Sequence, residues 1–344
     1  MRHHQRLFIQ ILSSAALLSV LGGCFARTSV EGPPAPRRLT VGPGKPDVAN
    51  RHLSSVMIKA SVEQRDRSIC SGVLISPSLV LTAGHCVCKN GRRVQGPNGE
   101  ERLVFNGSSC QQRVIVKTYV YNPEQENLDK INDPDDYDAL TRHYTGRVQP
   151  HPRFEVTLIG SGSAAAGTER RLDDYYVESV RADLALVFLT KDVDAKIPIA
   201  ELPDDEVPVG TRVELVGYGV GYGQQKPGEQ MIELRRVGDN KVKDKKELVQ
   251  SEALKGVLAD AEKIVFDRTG ALALGGDSGG PCLQMKRNAK GAVVFSLVGI
   301  ASWSTANESI FTSVYQHREW LGERKRCSRN EACRSRVIEQ SETH

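Results

Sequence analysis

From Val56 onward the apolar positions come in short runs rich in β-branched residues. They are Val56-Met57-Ile58, Val73-Leu74-Ile75, Leu79-Val80-Leu81, Leu184 to Leu189, Val213 to Val216 and Val293 to Ile300. Turn-forming residues separate them, as at Pro208-Val209-Gly210. Runs this short and this often punctuated predict strands, and an all-β sandwich or barrel overall. The main helix is expected late, over Val314 to Leu321, and no internal repeat is present. Cys88 to Glu178 departs from the pattern. It is polar, holds the acidic stretch Asn132 to Asp138 and the small-residue run Gly160 to Gly167, and predicts long surface loops.

The N-terminus follows a different rule. Met1 to Arg6 is basic and Leu7 to Leu21 is apolar. That run is shorter than the ~20 apolar residues that cross a bilayer. Residues 1–23 therefore read as a cleavable secretory signal. Leu21-Gly22-Gly23-Cys24 resembles a bacterial lipobox, which implies lipidation of Cys24. Phe25 stands where an inner-membrane protein of that kind carries Asp, so an outer-membrane lipoprotein facing the periplasm or cell surface is implied. Residues 24–47, with Pro33, Pro34, Pro36, Pro43 and Pro46, predict an extended tether. The folded domain is expected over 48–325, with a long insertion at about 88–178 and a basic tail over 326–344.

Composition narrows the class. The 344 residues are 39% hydrophobic and 26% charged, which excludes a collagen, a coiled coil and a wholly disordered chain. The 46 Lys and Arg against 42 Asp and Glu leave too little positive charge for a nucleic-acid footprint. Membrane contact is expected only through the lipid at Cys24. Seven further cysteines, Cys70, Cys86, Cys88, Cys110, Cys282, Cys327 and Cys333, would mature where disulfides persist. Seven is odd, so one is left over or pairs outside the chain. Cys86-x-Cys88 with only His85 nearby does not match a zinc site. Asp133, Asp135, Asp136 and Asp138 lack the spacing and central Gly of a calcium loop, so a solvated acidic loop is expected. No metal and no cofactor are expected.

Three segments carry chemistry together: Leu81-Thr82-Ala83-Gly84-His85-Cys86, Ala182-Asp183-Leu184-Ala185-Leu186, and Gly275-Gly276-Asp277-Ser278-Gly279-Gly280-Pro281. A free serine is a poor nucleophile. It needs a histidine to take its proton, and that histidine needs a buried carboxylate to fix its tautomer. His85, Asp183 and Ser278 fill these roles. The glycines beside Ser278 leave backbone N–H groups free to face an oxyanion.

From about Val56 to Leu321 the sequence resembles the chymotrypsin-like (trypsin-family) serine proteases. The chain order His, Asp, Ser is that family's order. Cys70-Ser71-Gly72-Val73-Leu74-Ile75, His151-Pro152-Arg153-Phe154, Gly217-Tyr218-Gly219, Ser302-Trp303-Ser304 and Ile310 to Val314 followed by Trp320-Leu321 match further family segments in order. The resemblance implies two packed six-stranded antiparallel β-barrels with a C-terminal helix, and a serine endopeptidase acting on proteins or peptides. It implies catalytic His85, Asp183 and Ser278, an oxyanion hole from the amides of Gly276 and Ser278, and a Cys70–Cys86 disulfide. A Cys88–Cys110 bridge is expected to close the insertion and Cys327–Cys333 to staple the tail, leaving the Cys282 thiol unpaired. Asp138-Ala139-Leu140 imitates the aspartate motif but is read as lacking a following apolar strand.

The primary pocket is expected from Leu272 at its base and Ser302, Trp303 and Ser304 along its wall. A buried leucine cannot pair with Lys or Arg, so cleavage after basic residues is disfavoured and small or medium apolar residues are expected. In the family, Asp277 pairs with an N-terminal ammonium freed by proteolysis. Here only Arg38-Leu39-Thr40-Val41-Gly42 echoes that site, so the partner of Asp277 stays open between an Arg, a Lys and a hydroxyl. Two other readings compete. An α/β-hydrolase would also use Gly276-Asp277-Ser278-Gly279-Gly280 but needs its acid and histidine after the serine, where no Asp occurs. A catalytically silent binding module on the same fold would be expected to have lost one of the three residues or the glycines.

Overall fold

The computed structural model describes residues 44–59, 69–122, 139–160, 175–219, 234–244, 262–288, 290–305 and 307–339. The expected signal, Cys24, most of the tether and Asp133 to Asp138 lie outside the described residues. In chain order the strands begin with β1 (Lys45–Pro46), β2 (Ser55–Lys59), β3 (Ile69–Ser76) and β4 (Leu79–Thr82), followed by a single helical turn, α1 (Gly84–Val87). Then come β5 (Arg92–Gln95), β6 (Glu101–Asn106), β7 (Arg113–Tyr121), β8 (Ala139–Pro150), β9 (Glu155–Gly160), β10 (Tyr175–Arg181) and β11 (Ala185–Leu189). The second half holds β12 (Arg212–Gly217), β13 (Arg236–Lys241), β14 (Lys263–Asp267), β15 (Pro281–Arg287), β16 (Val293–Ser304) and β17 (Glu308–Ser313). The described chain ends in α2 (Arg318–Arg329) and α3 (Glu331–Glu339).

Strands β11-β4-β3-β2-β7-β8 close a six-stranded barrel. Every residue of β3, β4 and β11 is buried, because their inner faces fill the barrel while their outer faces meet other parts of the fold. Side chains such as Leu74, Ile75, Leu79 and Phe188 have no exposed surface, and each stabilises by about 1.5–3 kcal/mol on the usual transfer scale. The second half is one antiparallel sheet in the order β1-β13-β12-β15-β16-β17-β14. Its six core strands, expected as a second closed barrel, are joined at their ends by a single bridge between Lys243 and Val265.

Asn132 to Asp138 and all but Gly160 of the run Gly160 to Gly167 lie outside the described residues, but the described part of the Cys88–Glu178 region is largely strand rather than loop. Its described residues form β5 to β10, of which β7 and β8 are barrel wall. The other four build a separate sheet in the order β10-β9-β6-β5. Burial here is partial: β6 has no buried residue, β10 has two, and β7 alternates along most of its length. Half of their positions are therefore polar, and average composition hides the period of two. The strand that follows Asp138, β8, is mixed in polarity, unlike the wholly apolar β11 that follows Asp183.

The late helix begins inside the expected Val314–Leu321 span and runs well past its end. A 3-10 turn at Tyr315–His317 leads into α2, and the end of α2 together with α3 takes up most of the expected tail. The side chain of Asn330 accepts the Cys333 N–H at 3.0 Å and caps α3. Ser76 and Ser78 bind the hydroxyl and carbonyl of Ser328, so α2 closes over β3 and β4. Three disulfides are present: Cys70–Cys86, Cys88–Cys110 and Cys327–Cys333. Cys282 is a buried free thiol, and burial pushes its pKa up.

Candidate active site

Two turns aim the histidine and the aspartate at each other. His85 sits in α1, directly after β4, and Cys86 in the same turn is tied to β3 by its disulfide. Asp183 follows Ala182, a buried non-glycine residue at φ 38°, and precedes the fully buried strand β11. The left-handed turn at Ala182 is strained for an L-residue and reverses the chain so that Asp183 faces α1. Asp183 Oδ2 lies 2.7 Å from His85 Nδ1, and Asp183 Oδ1 accepts the His85 backbone N–H at 2.9 Å. The Ser302 hydroxyl donates to Asp183 Oδ2 at 2.6 Å. Burial alone would raise the pKa of Asp183, but the His85 charge and these hydrogen bonds outweigh it and hold the carboxyl at about 2. Burial would likewise lower that of His85, and the neighbouring Asp183 carboxylate reverses the sign, leaving the imidazole above its ordinary value.

Ser278 comes from the other half of the molecule, on the turn before β15. The loop is latched to β3 by one residue, through its backbone and its side chain. Ser71 N–H donates to the Ser278 carbonyl at 2.7 Å, and Ser71 Oγ donates to the Gly276 carbonyl at 2.9 Å. Gly279 has φ +78°, and a Cβ there would stand 2.1 Å from Thr82 Oγ1, so only glycine lets the loop approach this closely. Within the loop Asp277, Gly279 and Gly280 donate their N–H groups to Leu274, Ala301 and Asp277 carbonyls. Among the described residues, the N–H groups of Gly276 and Ser278 donate to no protein acceptor. Cys86 Sγ lies 4.0 Å from His85 Nε2 and 3.4 Å from the Ser278 carbonyl, so the imidazole and the serine flank the same sulfur. No hydrogen bond joins the Ser278 hydroxyl to His85. Such bonds commonly tighten only when substrate is bound.

Asp277 is wholly buried and its partners are backbone amides. Oδ1 accepts from Gly219 N–H at 2.7 Å and Oδ2 from Leu274 N–H at 2.9 Å. A Cβ on Gly219 would fall 2.5 Å from this carboxylate. Desolvation raises the Asp277 pKa to about 7, against the two amides and the more distant charge of Arg236.

The residues expected in the pocket divide. Leu272 is buried beside Phe266, Cys282 and Phe311. Trp303 is 38% exposed and Ser304 partly so. Ser302, expected in the pocket wall, is buried and turns its hydroxyl to Asp183 instead. Ser304 pairs directly with Ser309 across the short β16–β17 hairpin, and Ser309 Oγ accepts the Ala273 N–H at 2.9 Å. Ser71, Gly219 and Ser309 were not singled out from the sequence as site residues. Ser71 and Gly219 did stand in segments that match the family, Cys70 to Ile75 and Gly217-Tyr218-Gly219, whereas Ser309 carried no signal. Cys70, His85 and Cys86 cluster closely, but both sulfurs are spent in one disulfide and offer no thiolate to a metal.

The chain matches known proteins across this framework. A family model for the trypsin-like peptidase domain matches residues 70–294. Submandibular glandular kallikrein-9 of Rattus norvegicus is 25% identical over 221 residues, covering 63% of this chain and 66% of that protein. Phenoloxidase-activating factor 3 of Holotrichia diomphalia is 26% identical over 270 residues, 73% of this chain and 62% of that protein. Trypsin of Phaedon cochleariae is 23% identical over 277 residues, 76% and 81% of the two chains. The chain spans less than two thirds of the length of the first two relatives. With the family model covering well over half of its residues, the chain belongs to the trypsin-like peptidase family.

Proposed function

We propose that the protein is an exported serine endopeptidase. Ser278 attacks the substrate carbonyl while His85 Nε2 takes its proton, and Asp183 holds the imidazole in the tautomer that can accept it. The unengaged amides of Gly276 and Ser278 receive the oxyanion. His85 then protonates the leaving amine, and water cleaves the acyl-enzyme by the same route. The chemistry needs no metal or organic cofactor. The observation that carries this reading is the buried carboxylate 2.7 Å from His85 Nδ1, with two free amides on the serine loop across the same disulfide.

Buried Leu272 and the tight Ser304–Ser309 hairpin favour small or medium apolar residues before the cut over Lys or Arg. Three disulfides agree with an oxidising compartment. The lipobox-like segment ending at Cys24 extends the reading to a bacterial outer-membrane lipoprotein. The absent Ser278–His85 hydrogen bond is the one feature that favours the rival, a silent protease-fold binding module. A peptide library decides between them. The wild type is expected to cut after small apolar residues and Ser278→Ala to cut nothing. A folded wild type that cuts nothing supports the binding module, and strong preference for Arg or Lys overturns the pocket assignment.

A further inference from the structure

The accessory sheet is built from the two segments that flank the histidine and the aspartate. Strands β5 and β6 follow His85, and β9 and β10 precede Asp183. At its root lies a cavity of about 920 Å³ whose lining includes Ser108, Arg153, Phe154, Glu155, Arg181 and Glu262. The cavity touches both catalytic elements. The Phe154 ring packs against Gly84, the neighbour of His85, and Arg181 is followed by Ala182 and Asp183. Among the described residues β10 has a single strand neighbour, β9, so one row of its N–H and C=O groups faces outward.

The charges in the cavity are not equivalent. Arg153 is bound to Glu262 at 2.6 Å, and Glu262 also lies 3.1 Å from His317 Nε2. Arg181 is exposed, and neither it nor Glu155 forms an ion pair among the described residues. The two stand opposite each other on β10 and β9. A small free anion drawn to Arg181 would meet Glu155 at the same place. An extended chain laid along β10 would instead satisfy the outward backbone groups, and its residue opposite Arg181 would be favoured if acidic. Tyr176, 54% exposed on the same strand, offers it an aromatic contact.

We propose that this cavity and the open edge of β10 take an extended polypeptide segment as an added strand, with an acidic side chain opposite Arg181. The proposal rests on the protease reading, since the segment is taken as part of a substrate remote from the scissile bond.

The test uses the full chain carrying Ser278→Ala, so that no peptide is cut. The probes are a fluorescent, terminally blocked peptide alternating Thr and Glu, and its Thr/Lys counterpart. Saturable binding of the Glu peptide is expected, weakened about fivefold by adding Arg181→Glu. The Lys peptide is expected to gain affinity on that same variant, which a merely unfolded protein would not show. Equal affinities of both peptides for both proteins, or no saturable binding to either, overturn the proposal. Library cleavage by the wild type is measured alongside. Cleavage without peptide binding removes the docking edge and leaves the protease reading; binding without cleavage retains the edge and removes the protease reading.

Discussion

Two carboxylates serve this site from opposite halves of the molecule. Asp183, on the barrel side, meets an imidazole, a hydroxyl and an amide, and stays ionised to about pH 2. Asp277, on the serine side, meets only two amides, and its pKa rises to about 7. Burial acts on both in the same direction. The difference lies in what compensates it: a group able to become cationic stabilises a buried negative charge far more than neutral dipoles do. The barrel side is thus held by charge, and the serine side by close backbone packing.

That contrast predicts unequal responses to substitution. The largest effect is expected from Asp183→Asn, which keeps the shape but lets His85 take the wrong tautomer. kcat should fall about 10⁴-fold. Because Asp183 raises the His85 pKa, the acid limb of the pH–rate profile should also move to lower pH in the residual activity. An unchanged limb would mean that the carboxylate does not govern the imidazole. A smaller loss is expected from Gly219→Ala. The new Cβ would collide with Asp277 and displace the serine loop, lowering kcat by about tenfold to a hundredfold, somewhat less than removal of an oxyanion donor. Wild-type turnover in this variant would show that the loop does not depend on the packed carboxylate.

The smallest effect separates the two carboxylates by pH. Folding raises the Asp277 pKa above the ordinary 3.8, so the folded state binds that proton more tightly and stability declines as pH rises from about 4 to above 7. Asp183 has the opposite sign. Its contribution is full above the ordinary carboxylate range and is lost as pH falls through about 2. Urea titrations of wild type and Asp277→Asn at about pH 5 and about pH 8 should show the stability gap narrowing or reversing in favour of Asn at the higher pH. A gap independent of pH would remove the proton from the account.

How much was legible in the sequence follows the same physics. His85, Asp183 and Ser278 stood out as candidates because the proposed chemistry restricts each position to one residue type, set in short segments whose neighbours also carry signal. Strands such as β3 and β11 were legible because burial on both faces leaves a continuous apolar run, Val73 to Ile75 in β3 and the whole of β11. The accessory sheet was not. Its strands are half polar, and Arg102 to Asn106 pair with Glu155 to Ile159, far along the chain. The direction of Ser302 was hidden for another reason. Along a strand, successive side chains face opposite sides, and the register that sends its hydroxyl to Asp183 belongs to the folded sheet. The partners of Asp277 were invisible because they are amides, which every residue except proline carries.

The central claim is that Ser278 is a nucleophile activated by the His85–Asp183 pair. A fluorophosphonate probe with mass-spectrometric mapping tests it directly. The account predicts one adduct on Ser278 of the wild type, strongly slowed labelling in Asp183→Asn and none in Ser278→Ala. A folded wild type that stays unlabelled, or that carries its adduct on another residue, would contradict it.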